Sequence, residues 1–222
     1  MSTLNFFLFS IYPYIAVAVL LIGSWYRYDY GQYTWRTGSS QLLDKKGTVL
    51  ALNLFHIGLI GVFFGHIAGL LTPRSWYEAY VSDHTHQVLA LFFGTIFGSM
   101  LLIGALMLLY RRFFNPRISA TSTFADKFIL VLLVIQIGLG MAIIPYDMTH
   151  MSGDDLQHLI SWCQGIFMFE PHVEHYLNSV NILFKLHIVL GLTIFTIFPF
   201  TRLVHMWSIP FGYIKRRRQV VR

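Results

Sequence analysis

Five long apolar runs set the terms on which this chain can fold. A helix needs about 20 residues to cross roughly 30 Å of hydrocarbon. The chain reads as five such spans, at 6–26, 50–71, 88–110, 126–145 and 180–205. Charges stand mostly at their borders: Arg27 follows the first, Lys46 and Arg74 flank the second, Arg111 closes the third, and Lys127 and Asp147 bracket the apolar core of the fourth. The fifth carries Lys185 near its start and Arg202 near its end, where long side chains reach the interface. No basic residue precedes the first run, and it is longer than the apolar core of a secretion signal, so it reads as a retained span. Only 12% of the 222 residues are charged, about half the share of a soluble domain. That excludes an ordinary soluble domain and a disordered chain. Cys163 is the single cysteine, so no intrachain disulfide can form. The expected fold is all-α: an integral-membrane five-helix bundle, one domain over 1–222, with a basic tail at 206–222.

The connections predict orientation. The segment after the first span holds Arg27, Arg36, Lys45 and Lys46; the one after the third holds Arg111, Arg112 and Arg117; the tail holds Lys215, Arg216, Arg217, Arg218 and Arg222. The two remaining loops hold Arg74 alone, twelve against one. Lysine and arginine mark the cytoplasmic side, so the N-terminus is expected outside and the C-terminus inside. The net charge of +6 then reflects topology and anionic-lipid contact, and nucleic acid is a poor partner. The loop after the fourth span is long and acidic, with Asp147, Asp154, Asp155, Glu170 and Glu174, and has room for a short interfacial helix.

Four histidines lie within the apolar runs: His56 and His66 in the second, His187 and His205 in the fifth. Ionisable groups at membrane depth are costly and usually functional; the plain alternative is a neutral ring hydrogen-bonded to a neighbouring helix. Spans two and five run antiparallel, so the natural pairs are His66 with His187, nearer the outside, and His56 with His205, nearer the cytoplasm. Opposed imidazoles suit bis-histidine haem ligation. The spacing fits imperfectly. Ten residues separate the first two histidines by about 15 Å and eighteen separate the other two by about 27 Å on a straight helix. Eighteen residues complete five turns, placing His187 and His205 on one face. Helix tilt and a bend at Pro199 can absorb the difference. Gly58, Gly61, Gly65, Ala68 and Gly69 surround the histidines of span two, and Gly191 follows His187 by four residues; ordinary small-residue packing explains them equally well. Zinc is a weaker reading, because no cysteine or carboxylate accompanies these histidines. A transporter would show midplane charges and paired broken helices.

The runs FFLFSIYPYIAVAVLLIGSWYRYDYGQYTWRTGSSQLLDKKG, NLFHIGLIGVFFGHIAGLLTP and FKLHIVLGLTIFTIFPFTRLVHMWSIP closely resemble the gamma subunit of bacterial respiratory nitrate reductase, a di-haem cytochrome b. The resemblance spans nearly the whole chain and is weakest in the outer loop after span four. It implies two b-type haems, the inner held by His56 and His205 and the outer by His66 and His187. It implies a subunit of the bacterial cytoplasmic (inner) membrane that oxidises quinol near the outer face and releases protons there. Electrons then pass to an iron–sulfur beta subunit, and a molybdenum-containing alpha subunit reduces nitrate. The family places quinol beside the outer haem with a basic residue, often lysine, from the outer end of span three; the matching position here is His86. Gly65 and Gly69 are expected to shape the same pocket. His86 has His84, His150, His158, His172 and His175 for company on the outer side, as a proton relay or as ordinary loop residues. Arg112 and Arg202 are candidate partners for haem propionates. The alternatives are a di-haem cytochrome b of another quinone-linked complex, of formate dehydrogenase or hydrogenase type, and a cofactor-free membrane anchor.

Overall fold

The computed structural model describes residues 3–31, 33, 35, 44 and 47–208. Arg36, Lys45, Lys46 and the tail's Lys215, Arg216, Arg217, Arg218 and Arg222, all used in the orientation argument, lie outside the described residues. Every regular element among the described residues is helical. Helix α1 spans Thr3–Tyr30, α2 Thr48–Leu71, α3 Arg74–Tyr77, α4 Asp83–Phe114, α5 Pro116–Thr121, α6 Phe124–Thr149, α7 Asp154–Phe167 and α8 Ile182–Ile197. Five are long and apolar enough to cross a membrane: α1, α2, α4, α6 and α8, the last continuing to Phe200. The long acidic loop does hold a helix, α7.

Local chemistry sets the helix ends. Ser82 accepts from the Thr85 backbone N–H to start α4, Asn181 accepts from Leu183 to start α8, and Thr123 with Asp126 forms a reciprocal capping box at α6. Each satisfies backbone donors that the first helical turn leaves unpaired. The fifth span departs from expectation. It does not remain α-helical to 205 but stops at Ile197 and passes through a 3-10 turn, Phe198–Phe200, into a 3-10 run, Arg202–Ser208. Pro199 has no N–H to continue the ladder. The carbonyls of Pro199 and Thr201 instead accept from Arg27 Nη1 of α1, at 2.6 and 2.7 Å. The five-turn count between His187 and His205 therefore does not apply: His205 sits on the bent continuation.

The membrane-length helices pack in sequence, α2 on α4, α4 on α6, α6 on α8 and α8 on α1. Helices α2 and α8 are not packed closely on each other. The tightest approach is α2 on α4, where Gly58 and Gly104 bring the two backbones together: a Cβ at Gly58 would fall 2.5 Å from Leu101 N, and one at Gly104 would overlap Phe55 N. Phe55, Leu101 and Ala105 form the buried centre of this contact. A second core lies at the end of the bundle carrying Thr3, where Phe9, Trp162, Val173, Leu177, Val180 and Phe184 join α1, α7 and the start of α8. There Trp162 Nε1 donates to the Phe9 carbonyl at 2.8 Å, within the π turn Phe7–Ile11.

Gly58→Val is expected to destabilise the bundle by about 1–3 kcal/mol, the usual range for overpacking. Gly138→Ala, where a Cβ meets nothing within 4 Å, is expected to be near neutral. Thermal unfolding in detergent, followed by helix content, compares the two.

Candidate functional site

Helix α2 carries His56 and His66 on a largely apolar surface with Ile57, Ile60, Phe63 and Phe64 exposed around them. Across from it, α8 carries His187 and its continuation carries His205. The structure brings these four into two pairs. The His66 and His187 ring centres are 6.2 Å apart, with their planes inclined by 22°. Those of His56 and His205 are 6.5 Å apart, inclined by 74°. Two imidazoles that grip one metal ion from opposite sides have ring centres about 6 Å apart when each metal–nitrogen bond is about 2 Å. Among the described residues, no group of three His, Cys, Asp or Glu converges on a single point. Two imidazoles per centre suit an ion whose remaining ligands come from a planar macrocycle lying between them. The unpacked interval between α2 and α8 is where such a plane would lie.

The nitrogen facing away from each gap matters as much. His56 Nδ1 lies 2.8 Å from the Leu52 carbonyl, His66 Nδ1 2.8 Å from that of Val62, and His205 Nδ1 2.7 Å from that of Arg202. A carbonyl only accepts, so each Nδ1 carries the proton and each Nε2 keeps its lone pair for a ligand. This arrangement also orients the ring. His187 differs, since its neighbour is the side chain of Gln136 on α6.

The glycines separate by role. Gly58 and Gly61 face α4, where a Cβ at Gly61 would overlap the Phe97 ring, so they serve helix packing. Gly65 opens onto free space, and Gly69 faces His86, whose Nε2 is 4.0 Å from where its Cβ would be. His86 stands in the first turns of α4, its ring edge-on to Tyr77 with centres 4.8 Å apart. His86 Nδ1 and the Tyr77 hydroxyl oxygen are both buried with no hydrogen-bond partner. The sequence reading missed Tyr77. It lies on the four-residue helix α3, outside the apolar spans, and only the tertiary structure brings it back against His86.

Arg112 and Arg202 converge on one carboxylate: Asp126 lies 3.6 Å from Arg112 Nη1 and 3.4 Å from Arg202 Nη1. Arg112 also donates to Ser122 Oγ at 3.0 Å. Asp126, which also completes the α6 capping box, was not singled out from sequence. Three of the loop histidines are engaged locally. His150 Nδ1 lies 3.0 Å from the Tyr146 carbonyl, His172 lies 3.4 Å from the Glu174 carboxylate, and His175 Nδ1 meets the His172 carbonyl. Glu174 is 2% exposed. Burial pushes its carboxyl up, but hydrogen bonds from Ser10 Oγ, its own backbone N–H and His172 outweigh that and hold it below the ordinary value. Burial pushes the Cys163 thiol up to about 11, which leaves it unreactive near neutral pH.

Asp126→Asn keeps the helix cap but leaves Arg112 and Arg202 facing each other without their carboxylate. It is expected to cost about 1–2 kcal/mol, read by thermal unfolding. Because the folded-state pKa of Glu174 lies below its unfolded value of about 4.3, its contribution to stability is complete above that value. It is lost as pH falls through the lowered folded pKa. Acid titration of thermal stability is expected to show this loss, and Glu174→Gln is expected to remove it.

The model of the family described as nitrate reductase gamma subunit matches residues 5–222. The chain is 52% identical over 222 residues to the respiratory nitrate reductase 1 gamma chain of Escherichia coli (strain K12), covering 100% of this chain and 99% of that one. It is 50% identical over 219 residues to the respiratory nitrate reductase 2 gamma chain of the same strain, covering 99% and 97%. It is also 36% identical over 216 residues to the nitrate reductase gamma chain of Bacillus subtilis (strain 168), covering 97% and 96%. With a match that runs almost from end to end, the chain belongs to the nitrate reductase gamma subunit family.

Proposed function

We propose that this chain is the membrane cytochrome b subunit of a respiratory nitrate reductase, a single membrane domain holding two b-type haems between α2 and α8. The observation that carries the reading is the pair of imidazole gaps, 6.2 and 6.5 Å between ring centres, joining two helices that do not otherwise pack closely together. His66 and His187 hold the outer haem, and His56 and His205 hold the inner one. The haems supply one-electron transfer along the bundle. In this reading the end carrying Thr3 faces outward and the end carrying Arg111, Arg112 and Arg117 faces the cytoplasm, as the twelve-to-one distribution of Lys and Arg supports. The membrane is the bacterial cytoplasmic membrane. The partners are an iron–sulfur beta subunit at the cytoplasmic face and a molybdenum-containing alpha subunit that reduces nitrate.

Quinol enters beside Gly65 and Gly69, where α2 presents no side chain to block it. His86 accepts a hydrogen bond from a quinol hydroxyl and takes its proton, a role an imidazole near neutral pH is suited to. The orphaned Nδ1 of His86 and hydroxyl of Tyr77 supply polar atoms for the second quinol oxygen or for water leading outward. Arg112 and Arg202, drawn together by Asp126, place positive charge beside the Arg202–His205 segment, suited to the propionates of the inner haem.

His66→Ala or His187→Ala is expected to halve the haem bound per chain and abolish quinol oxidation. His56→Ala or His205→Ala is expected to halve it by loss of the other haem and to block onward electron transfer. Haem quantification on the purified complex with reduced-minus-oxidised spectra reads both. A variant that retains both haems overturns the assigned pairing, and an unsubstituted complex without b-type bands reduces the chain to an anchor.

A further inference from the structure

Gln136 is the one polar side chain between Lys127 and Tyr146, set in the apolar middle of α6. A polar group at that depth is retained against a desolvation cost unless it is partnered. Its partner is His187. Gln136 Nε2 donates to the His187 carbonyl at 3.1 Å and lies 3.2 Å from both ring nitrogens. Gln136 Oε1 is buried with no hydrogen-bond partner. Two glycines make the slot. A Cβ at Gly191 would fall 3.2 Å from Gln136 Nε2, and a Cβ at Gly140, one turn along α6, would fall 3.0 Å from His187 Cε1.

His187 thus stands apart from the other three. His56, His66 and His205 place Nδ1–H on a carbonyl of their own segment, and so stay oriented whatever α6 does. When His187 Nε2 binds iron, its Nδ1 carries a proton that needs an acceptor, and the unpartnered acceptor at hand is Gln136 Oε1. A turn of the amide that gives up the Nε2 bond to the His187 carbonyl brings Oε1 to that proton. We propose that Gln136 is the positioning residue of the outer haem: it receives Nδ1–H of His187, fixes the ring, and sets how strongly that imidazole donates to the metal.

This rests on the haem reading above and adds a role for a helix that carries no ligand. A stronger acceptor on Nδ1–H makes the imidazole a better donor and favours ferric iron; loss of the acceptor does the reverse. Gln136→Glu preserves shape and adds charge, while Gln136→Met preserves volume and removes the acceptor. The test is a potentiometric titration of both haems in the assembled complex, with the low-temperature electron paramagnetic resonance signal of each. Gln136→Glu is expected to lower the outer midpoint and Gln136→Met to raise it. Each shift corresponds to roughly a tenfold change in the ferric-to-ferrous ratio, about 59 mV for one electron, with the inner midpoint unchanged. Simple loosening of the bundle does not give shifts of opposite sign confined to one haem. Two haems per chain with both midpoints unmoved in both variants, or shifts of the same sign in both, overturn the proposal. Fewer than two haems in the unsubstituted complex overturns the haem reading instead.

Discussion

Hydrocarbon supplies no hydrogen bonds, so each polar group placed in it must be answered by another part of the chain. That demand accounts for several hydrogen bonds between distant segments. Where Pro199 interrupts the last long helix, the guanidinium of Arg27 takes up two carbonyls. At the π turn of α1, the Trp162 indole engages the Phe9 carbonyl. At mid-depth on α6, Gln136 meets His187. Each polar contact joins segments far apart in the sequence.

The same demand decides how the histidines behave. Three of the four rings settle one nitrogen within a turn of their own backbone, leaving the other nitrogen its lone pair for a ligand. The tight glycine contact between α2 and α4 fixes α2 from behind. The α6–α8 and α8–α1 contacts do the same for the opposite wall, so the gap is held by packing outside it rather than by contact across it.

Much of this was readable from the residues. The five spans stood out because uncharged runs of that length have little place in a water-soluble chain, and the four histidines stood out because they interrupt such runs. Their pairing followed from the antiparallel direction of two helices. Other features depend on residues remote in sequence. The proline at 199 announced a bend, but the arginine at 27 that takes up the carbonyls freed there stands on another helix, far off in sequence. Asp126 looks like a capping residue until Arg112 and Arg202 arrive from two other segments. Gln136 has no spacing relation to any histidine, and Tyr77 acquires its place only when α3 folds back toward α4.

The break at Pro199 has a consequence for biogenesis. His205 is carried on a segment whose path is held by α1, through Arg27 at the break and through Ser24, which accepts from Trp207 Nε1. The chain beyond Pro199 must therefore reach α1 before the His56–His205 pair can close. Closing that pair comes late relative to the α2–α4 contact, because His205 follows both of those helices in the chain.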